Sequence, residues 1–337
     1  MESPAASTID PAQRNTTGMA NTLQKALPRN LTSARGPLPR RQGRIRGRRD
    51  AAASSVFLLP VAAVFVVLYA IPLAQTIYYS FTDFNGLRPE VNMVGWANYA
   101  SVFTNPSLIT GLGFTLLFTA VSTVLITAFA VPLAVALNKK FFGRTLSRSI
   151  FFFVGVPSLV IIGLVWQFIF SPLRTGALNS VLRWFGLDAV PWLADSDLAR
   201  FCVIFVGLWA HVGWHATLYL AYLQSIPGDL YEQAQLDGAN GRQQFWHITL
   251  PELVPAIVVS SFLLMTSGLK VFDLPFAMTK GGPGYSTNTI TQSILVEGLS
   301  QSDYGLGSAL AVLFTLACLT IILLQLLAAR ALTRRFE

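Results

Sequence analysis

Charge is scarce in this sequence. Of its 337 residues, 12% are Asp, Glu, Lys or Arg and 53% are hydrophobic. A soluble domain carries about 25% charge. With a mean hydropathy of +0.54, the chain is excluded as a water-soluble globule, and most of it is excluded as disordered. The length would suit two soluble domains, but the composition points to one polytopic membrane domain. Cysteine is nearly absent. Cys202 and Cys318 each sit in an apolar run, so no disulfide framework is indicated. No G-x4-G-K-[ST] stretch occurs, so the chain cannot cradle nucleotide phosphates in that way. The run Gly281-Gly282-Pro283-Gly284 has no Lys-Ser/Thr behind it and reads as a turn. His211 and His215 form H-x-x-x-H, but Val212 stands where a zinc protease needs Glu, and no third ligand is evident. No metal site is expected.

What charge there is lies at one end. Residues 1–50 hold ten Lys/Arg and three Asp/Glu, while the other 287 hold fourteen and thirteen, so the net +8 is mostly a property of the tail. Residues 1–39 are rich in Ser, Thr, Asn, Pro and Ala without apolar periodicity and read as disordered. The run RRQGRIRGRR at 40–49 could suit nucleic acid. Its place just ahead of the first apolar segment favours a juxtamembrane cluster that lies on anionic lipid and fixes orientation, so no nucleic-acid partner is expected. A cleaved signal peptide is disfavoured, because the apolar segment starts some fifty residues in and is too long. The domain reading is a basic cytoplasmic tail over 1–50 and a transmembrane domain over 51–337.

A bilayer-crossing helix needs roughly 20 apolar residues. Six stretches qualify, at about 54–80, 108–137, 149–170, 200–224, 253–277 and 305–330. Backbone groups in lipid must be satisfied internally, so these are expected to be helices. Pro60, Pro72, Pro132 and Pro157 are expected to mark kinks. Lys/Arg counting sets the orientation. One side holds the tail, Lys139, Lys140, Arg144, Arg148, Arg242, Arg330, Arg334 and Arg335; the other holds Arg88, Arg174, Arg183 and Lys280, with Arg200 at a helix edge. Both termini are then cytoplasmic, which an even number of spans requires.

One cytoplasmic loop departs from the charge pattern. Residues 225–252, SIPGDLYEQAQLDGANGRQQFWHITLPE, carry one Arg and four acidic residues. Pro227, Gly228 and Asp229 read as a helix start with Asp229 as N-cap. Gly238 and Gly241 are expected to end the short helix, and a second segment over 242–250 leads to Leu250-Pro251, where the next span begins. Such a helix, lying along the membrane with acidic and small residues exposed, suits docking into a groove of a cytoplasmic partner.

The spacing in this loop is specific. Glu232-Gln233-Ala234, three residues, Gly238, nine residues, Ile248, one residue and Leu250-Pro251 resemble E-A-A-x3-G-x9-I-x-L-P, the signature loop of permease subunits of binding-protein-dependent ABC importers. Six of seven fixed positions match, with Gln233 in place of Ala. FLLPVAAVFVVLYAIPLAQTIYYSFTDFN, VGWANYASVFTNP, SPLRTGALNSVL and FDLPFAMTKGGPGYSTNTI resemble the carbohydrate-importing branch, which includes maltose, trehalose and glycerol-phosphate permeases. The resemblance covers residues 55–337. It implies an all-α, six-span type I ABC importer permease fold in the bacterial inner membrane. The loop helix would be a coupling helix seated in an ATP-hydrolysing subunit, with Glu232 touching that subunit and Gly238 making the turn. Asp237 lies within the same loop segment. The resemblance further implies a second homologous permease, two ATPase subunits that carry ATP and Mg, and an extracytoplasmic solute-binding protein. This chain would hold no cofactor and perform no catalysis.

The fourth stretch contains Trp209, His211, Trp214, His215, Tyr219 and Tyr222, with positions 207, 211, 214 and 218 on one helical face. Aromatic rings stack on sugar faces and polar groups bond hydroxyls, so His211 and Trp214 suit a sugar pathway; they equally suit buried packing. The resemblance implies sugar contacts at Gly207, Ala210, His211 and Trp214, and near Ser267, Gly268 and Val271. Most side chains there differ from the maltose permease, which implies a different sugar. Lys270 and Asp273, three apart, are expected to form a local ion pair. An ion-coupled secondary transporter is the alternative; it needs inverted repeats and intramembrane carboxylates, and neither is evident. A membrane protease is disfavoured by Val212. A phosphorylated solute would call for Arg or Lys in the pathway, where only Lys270 is available.

Overall fold

The computed structural model describes residues 58–333. The predicted tail over 1–50 lies outside them, as does the start of the first predicted span. By compactness the chain divides into Met1–Val66 and Val67–Glu337. In the first unit, residues 58–66 are helical and expose their apolar side chains.

The described residues are helical, with a single Thr82–Met93 bridge as the only extended pairing among them. Five helices are long and apolar enough to cross a membrane: α1 (Leu58–Tyr79), α3 (Pro106–Asn138), α7 (Ser196–Leu223), α9 (Gly241–Leu269) and α12, apolar over Tyr304–Arg330 and continuing to Thr333. Between them stand α2 (Ala97–Thr104), α4 (Arg144–Phe153), α5 (Leu159–Ile169), α6 (Ala177–Trp184), α8 (Gly228–Leu236), α10 (Asp273–Thr279) and α11 (Ile290–Leu295).

Two predicted spans are built differently. The stretch 149–170 is α4 followed by α5, not one helix. Pro157 between them has no N–H to give, and a proline disfavours the helical region for the residue before it. Ser158 then caps α5, its Oγ accepting from the Val160 N–H at 3.3 Å. The stretch 253–277 likewise stops at Leu269 and resumes as α10. Lys270 and Asp273 therefore flank a break in the chain. The helical i,i+3 geometry they would need for pairing is lost, and the ion pair among the described residues is instead Arg200–Asp197, at 3.1 Å.

Prolines Pro72 and Pro251 each follow a π-helical turn, Val66–Ala70 and Phe245–Thr249. Proline removes a donor and crowds the carbonyl four residues back, and the wider turn relieves both. Helix α3 is the hub, packing along α7 and α9. Its buried stripe mixes Gly111, Thr115, Thr119, Ser122, Ala130 and Ala134 with Phe114, Phe118 and Ile126. Small residues let membrane helices approach closely, where lipid supplies no hydrophobic drive between them. Gly268 of α9 lies against Thr119, where a Cβ would stand 3.0 Å from the threonine Oγ1. Two apolar clusters result. One joins Phe114 and Phe118 to Val203, Val206 and Ala210. The other joins Ala130, Val131 and Ala134 to Ala216, Tyr219 and Leu253. Residues between these groups along α3 and α7 line the site.

Candidate functional site

A cavity of about 110 Å³ opens between α3, α5, α7, α9 and the α9–α10 break. Gly207 and His211 reach it from α7, Ser267 and Gly268 from α9, and Val271 from the break, which brings together five of the seven residues expected in a pathway; Ala210 packs instead in the apolar cluster with Phe114 and Phe118. Trp214 is not among the five either. It lies two helical turns beyond Gly207 on nearly the same face, about 10 Å along the axis, which carries it past the cavity. There it is 41% exposed and edge-on to the His215 ring at 4.8 Å.

The cavity is chemically mixed. Phe118, Phe272, Ile126, Leu159, Leu264 and Leu274 supply apolar walls, while Ser122, His211, Ser267, Lys270 and Asp273 supply polar groups. His211 Nδ1 lies 2.8 Å from the Gly207 carbonyl oxygen. That oxygen can only accept, so Nδ1 carries a proton and donates, and Nε2 is the ring nitrogen left for another partner. His215 points elsewhere, its Nδ1 2.7 Å from Ser260 Oγ. The two histidines therefore do not converge. Among the described residues no group of three His, Cys, Asp or Glu side chains comes together to hold a metal ion. Sequence reasoning missed Phe118 and Ser122. The signal for them was the row Thr115, Thr119, Ser122 at helical spacing on α3, which reads as packing unless the cavity is known.

The loop over 225–252 is a second site. Helix α8 begins after Pro227, whose side chain caps nothing, and Asp229 sits inside the first turn rather than at the cap. Its carboxylate there faces the positive end of the helix dipole. Gly238 closes the helix in the left-handed region, φ +81°, with the Ala239 N–H returning to Ala234 O at 2.8 Å. Gly241 does not end α8; it opens α9. Asn240 and Gln243 form a reciprocal capping box there, Asn240 Oδ1 accepting at 3.0 Å and Gln243 Oε1 at 2.8 Å. The next span thus begins nine residues before Leu250-Pro251.

Tyr231 of α8 is braced to buried Thr249, hydroxyl to hydroxyl at 3.1 Å, and Gln244 Nε2 donates to Ala239 O at 3.1 Å. Glu232, Gln233, Asp237 and Gly238 remain exposed, and Ala234, Ile248, Leu250 and Pro251 are half-buried. Beside them Ala234, Asp237, Gly238, Gln243, Gln244 and Ile248 line a surface concavity of about 340 Å³. Leu236 is 88% exposed and Trp246 55%, so the loop presents apolar as well as acidic side chains.

A cavity of mixed lining among apolar spans, with a braced and exposed helix on one of the connecting loops, fits a membrane transport subunit. Residues 126–337 match the family described as the inner membrane component of binding-protein-dependent transport systems, and the chain belongs to that family. The probable starch degradation products transport system permease AmyD of Thermoanaerobacterium thermosulfurigenes is 31% identical over 80% of this chain and 91% of its own length. The multiple sugar-binding transport system permease MsmF of Streptococcus mutans is 32% identical over 83% and 95%. The fold is that of the type I ABC importer permease. It matches a chain of a bacterial ABC transporter that imports the acidic polysaccharide alginate, with a TM-score of 0.74 and 26% identity over 85% of this chain and 97% of that one. A bacterial alginate ABC transporter in complex with alginate pentasaccharide-bound periplasmic protein also matches, with a TM-score of 0.73 and 27% identity over 85% of this chain and 96% of that one.

Proposed function

We propose that this chain is the permease subunit of an ATP-driven importer and forms part of the path of a sugar or sugar-like solute across a bacterial inner membrane, with both termini in the cytoplasm. The observation that carries this reading is mechanical. Helix α9 runs from Gly241, beside the exposed loop, through its π-helical turn to Leu269 at the cavity. Its 29 residues reach about 44 Å. A push on the loop is thereby a displacement of the Ser267–Gly268 wall. Alternating access follows as rigid-body rotation of packed helices between two arrangements.

In this reading α8 is the coupling helix. Glu232, Gln233, Ala234, Asp237, Gly238, Ile248, Leu250 and Pro251 form or support the surface that seats on an ATPase subunit. Two such subunits hold ATP and Mg, a second homologous permease completes the pathway, and a soluble binding protein delivers solute from outside. This chain contributes no catalytic group and no cofactor of its own. Gly207, His211, Ser267, Gly268 and Val271 contact the solute. The names of the sugar-transporting relatives support that solute class, as do the aromatic walls and hydroxyl-bonding groups of the cavity.

The test is purification of the chain from its native membrane in mild detergent, identification of what accompanies it, and reconstitution in liposomes. ATP-dependent uptake of one of labelled glucose, maltose, maltotriose, arabinotriose or alginate trisaccharide is expected, with an ATPase and a second permease co-purifying. A chain that purifies alone and takes up solute only under an ion gradient would overturn the reading.

A further inference from the structure

The geometry points to Ser122 of α3 as a solute-recognition residue, so that the second span forms a third wall of the pathway beside α7 and α9. This rests on reading the cavity as the solute path. Ser122 lines the cavity, is 5% exposed, and its Oγ has no hydrogen-bond partner. Its neighbours on the same face behave differently. Thr115 Oγ1 donates to the Gly111 carbonyl at 2.8 Å, and Thr119 Oγ1 to the Thr115 carbonyl at 2.7 Å. Back-bonding of this kind is the usual resting place for a hydroxyl in a membrane helix. Ser122, the next polar residue of the stripe, makes no such bond, and its buried hydroxyl is left unpaired at the cavity wall. Thr123 and Thr127 also hold buried hydroxyls without partners, but neither lines the cavity.

The lining on the other sides is complementary. Asp273 accepts, Lys270 donates, Ser122 and Ser267 do both, and His211 offers its second ring nitrogen. Phe118, one turn before Ser122 on the same helix, lines the same cavity. A pyranose or furanose ring has this pattern: an apolar face flanked by hydroxyls that donate and accept at once. A buried group left unpaired in the empty site and satisfied by solute discriminates strongly against an analogue lacking the matching hydroxyl. Ser122 therefore reads one hydroxyl of the sugar, and Phe118 packs beside it.

Two measurements test this on the assembled transporter. The first does not depend on knowing the solute. In a chain carrying C202A and C318A, S122C is expected to react with methanethiosulfonate ethylammonium during ATP turnover, while T123C stays unlabelled. The second uses the sugar among those above that wild type transports, with its single-deoxy analogues. S122A is expected to raise KM about fivefold to tenfold, the loss of one uncharged hydrogen bond, with kcat little changed. For one deoxy analogue S122A and wild type should transport equally, a signature that mere loss of packing would not give. S122T, which keeps the hydroxyl, should recover most of the affinity. No labelling of S122C, or an equal loss for every analogue, would overturn the role of Ser122. Labelling of S122C that none of the sugars slows would support its place on the path and overturn the sugar reading instead.

Discussion

At the scale of single residues, Gly238 carries the sharpest test of the loop. Its φ of +81° belongs to the left-handed region, and a Cβ there would meet nothing within 4 Å. A substitution therefore costs backbone strain, not a clash, of about 1–2 kcal/mol for an ordinary residue and less for Asn, which tolerates this region. G238V is expected to leave insertion intact but to separate ATP hydrolysis from uptake, while G238N keeps most of the uptake. Parallel assays of ATPase and uptake in proteoliposomes check this. Equal uptake by both variants would mean the turn does not need that conformation. The role of Gly238 was legible because only a turn asks for glycine after a helix. The N-cap was not: Pro227 and Asp229 are both good starters, and Asp in the first turn is as favourable as Asp at the cap. Ser122 was not legible either, since its significance lies in a hydrogen bond it does not make.

At the scale of elements, hydropathy found where the chain is apolar but not where a helix is continuous. Helices α1, α3, α7 and α12 lie close to their predicted stretches. The stretches 149–170 and 253–277 are broken, because Pro157 and the Lys270–Asp273 segment interrupt helices without making the sequence less apolar. The start of α9 was misplaced for the opposite reason. Its first turns are polar, and only the Asn240–Gln243 capping box marks them. Two elements outside the spans carry predictions. Asn179 is fully buried and ties α6 to the following segment, its Oδ1 accepting from the Val190 N–H and Trp192 Nε1 at 3.0 Å each and its Nδ2 donating to Val190 O at 3.0 Å. N179A strands those groups, and at about 1–3 kcal/mol for each unsatisfied buried group it should lower the melting temperature by several degrees in detergent. No change in melting would mean water replaces the amide. Glu297 is buried in the π-helical turn after α11, and burial, helped by the charge of Asp303, pushes its carboxyl pKa up. A raised carboxyl pKa makes the folded state favour the proton. Stability is then full below the ordinary carboxylate range and falls as pH climbs from there through the raised value. Melting curves at stepped pH should show this decline for wild type and a flat profile for E297Q; a decline unchanged in E297Q would place its origin in another group.

At the scale of the whole molecule, the arrangement divides the chain into surfaces with different tasks. Apolar side chains cover α1, from Leu58 to Tyr78, as lipid or another membrane chain requires. Helix α8 and the first turns of α9 expose Leu236 and Trp246 beside Glu232 and Asp237, a mixture that suits a docking surface better than a solvated loop. The two kinds of residue should behave differently. A charge at the rim of an interface alters association rate and salt dependence, whereas a buried apolar anchor sets how long the complex lasts. E232K is therefore expected to weaken recovery of the ATPase subunit mainly at low ionic strength, with the difference from wild type shrinking as salt screens it. L236D is expected to release the ATPase at all salt concentrations, because the partner must then bury a carboxylate. Leu236 is too exposed in this chain for its replacement to disturb the fold, so both variants should reach the membrane at wild-type levels. Recovery of the ATPase with L236D as with wild type would remove the end of α8 from the interface. A loss with E232K that is independent of salt would move Glu232 from the rim to a buried contact, where a single unpaired charge costs several kcal/mol.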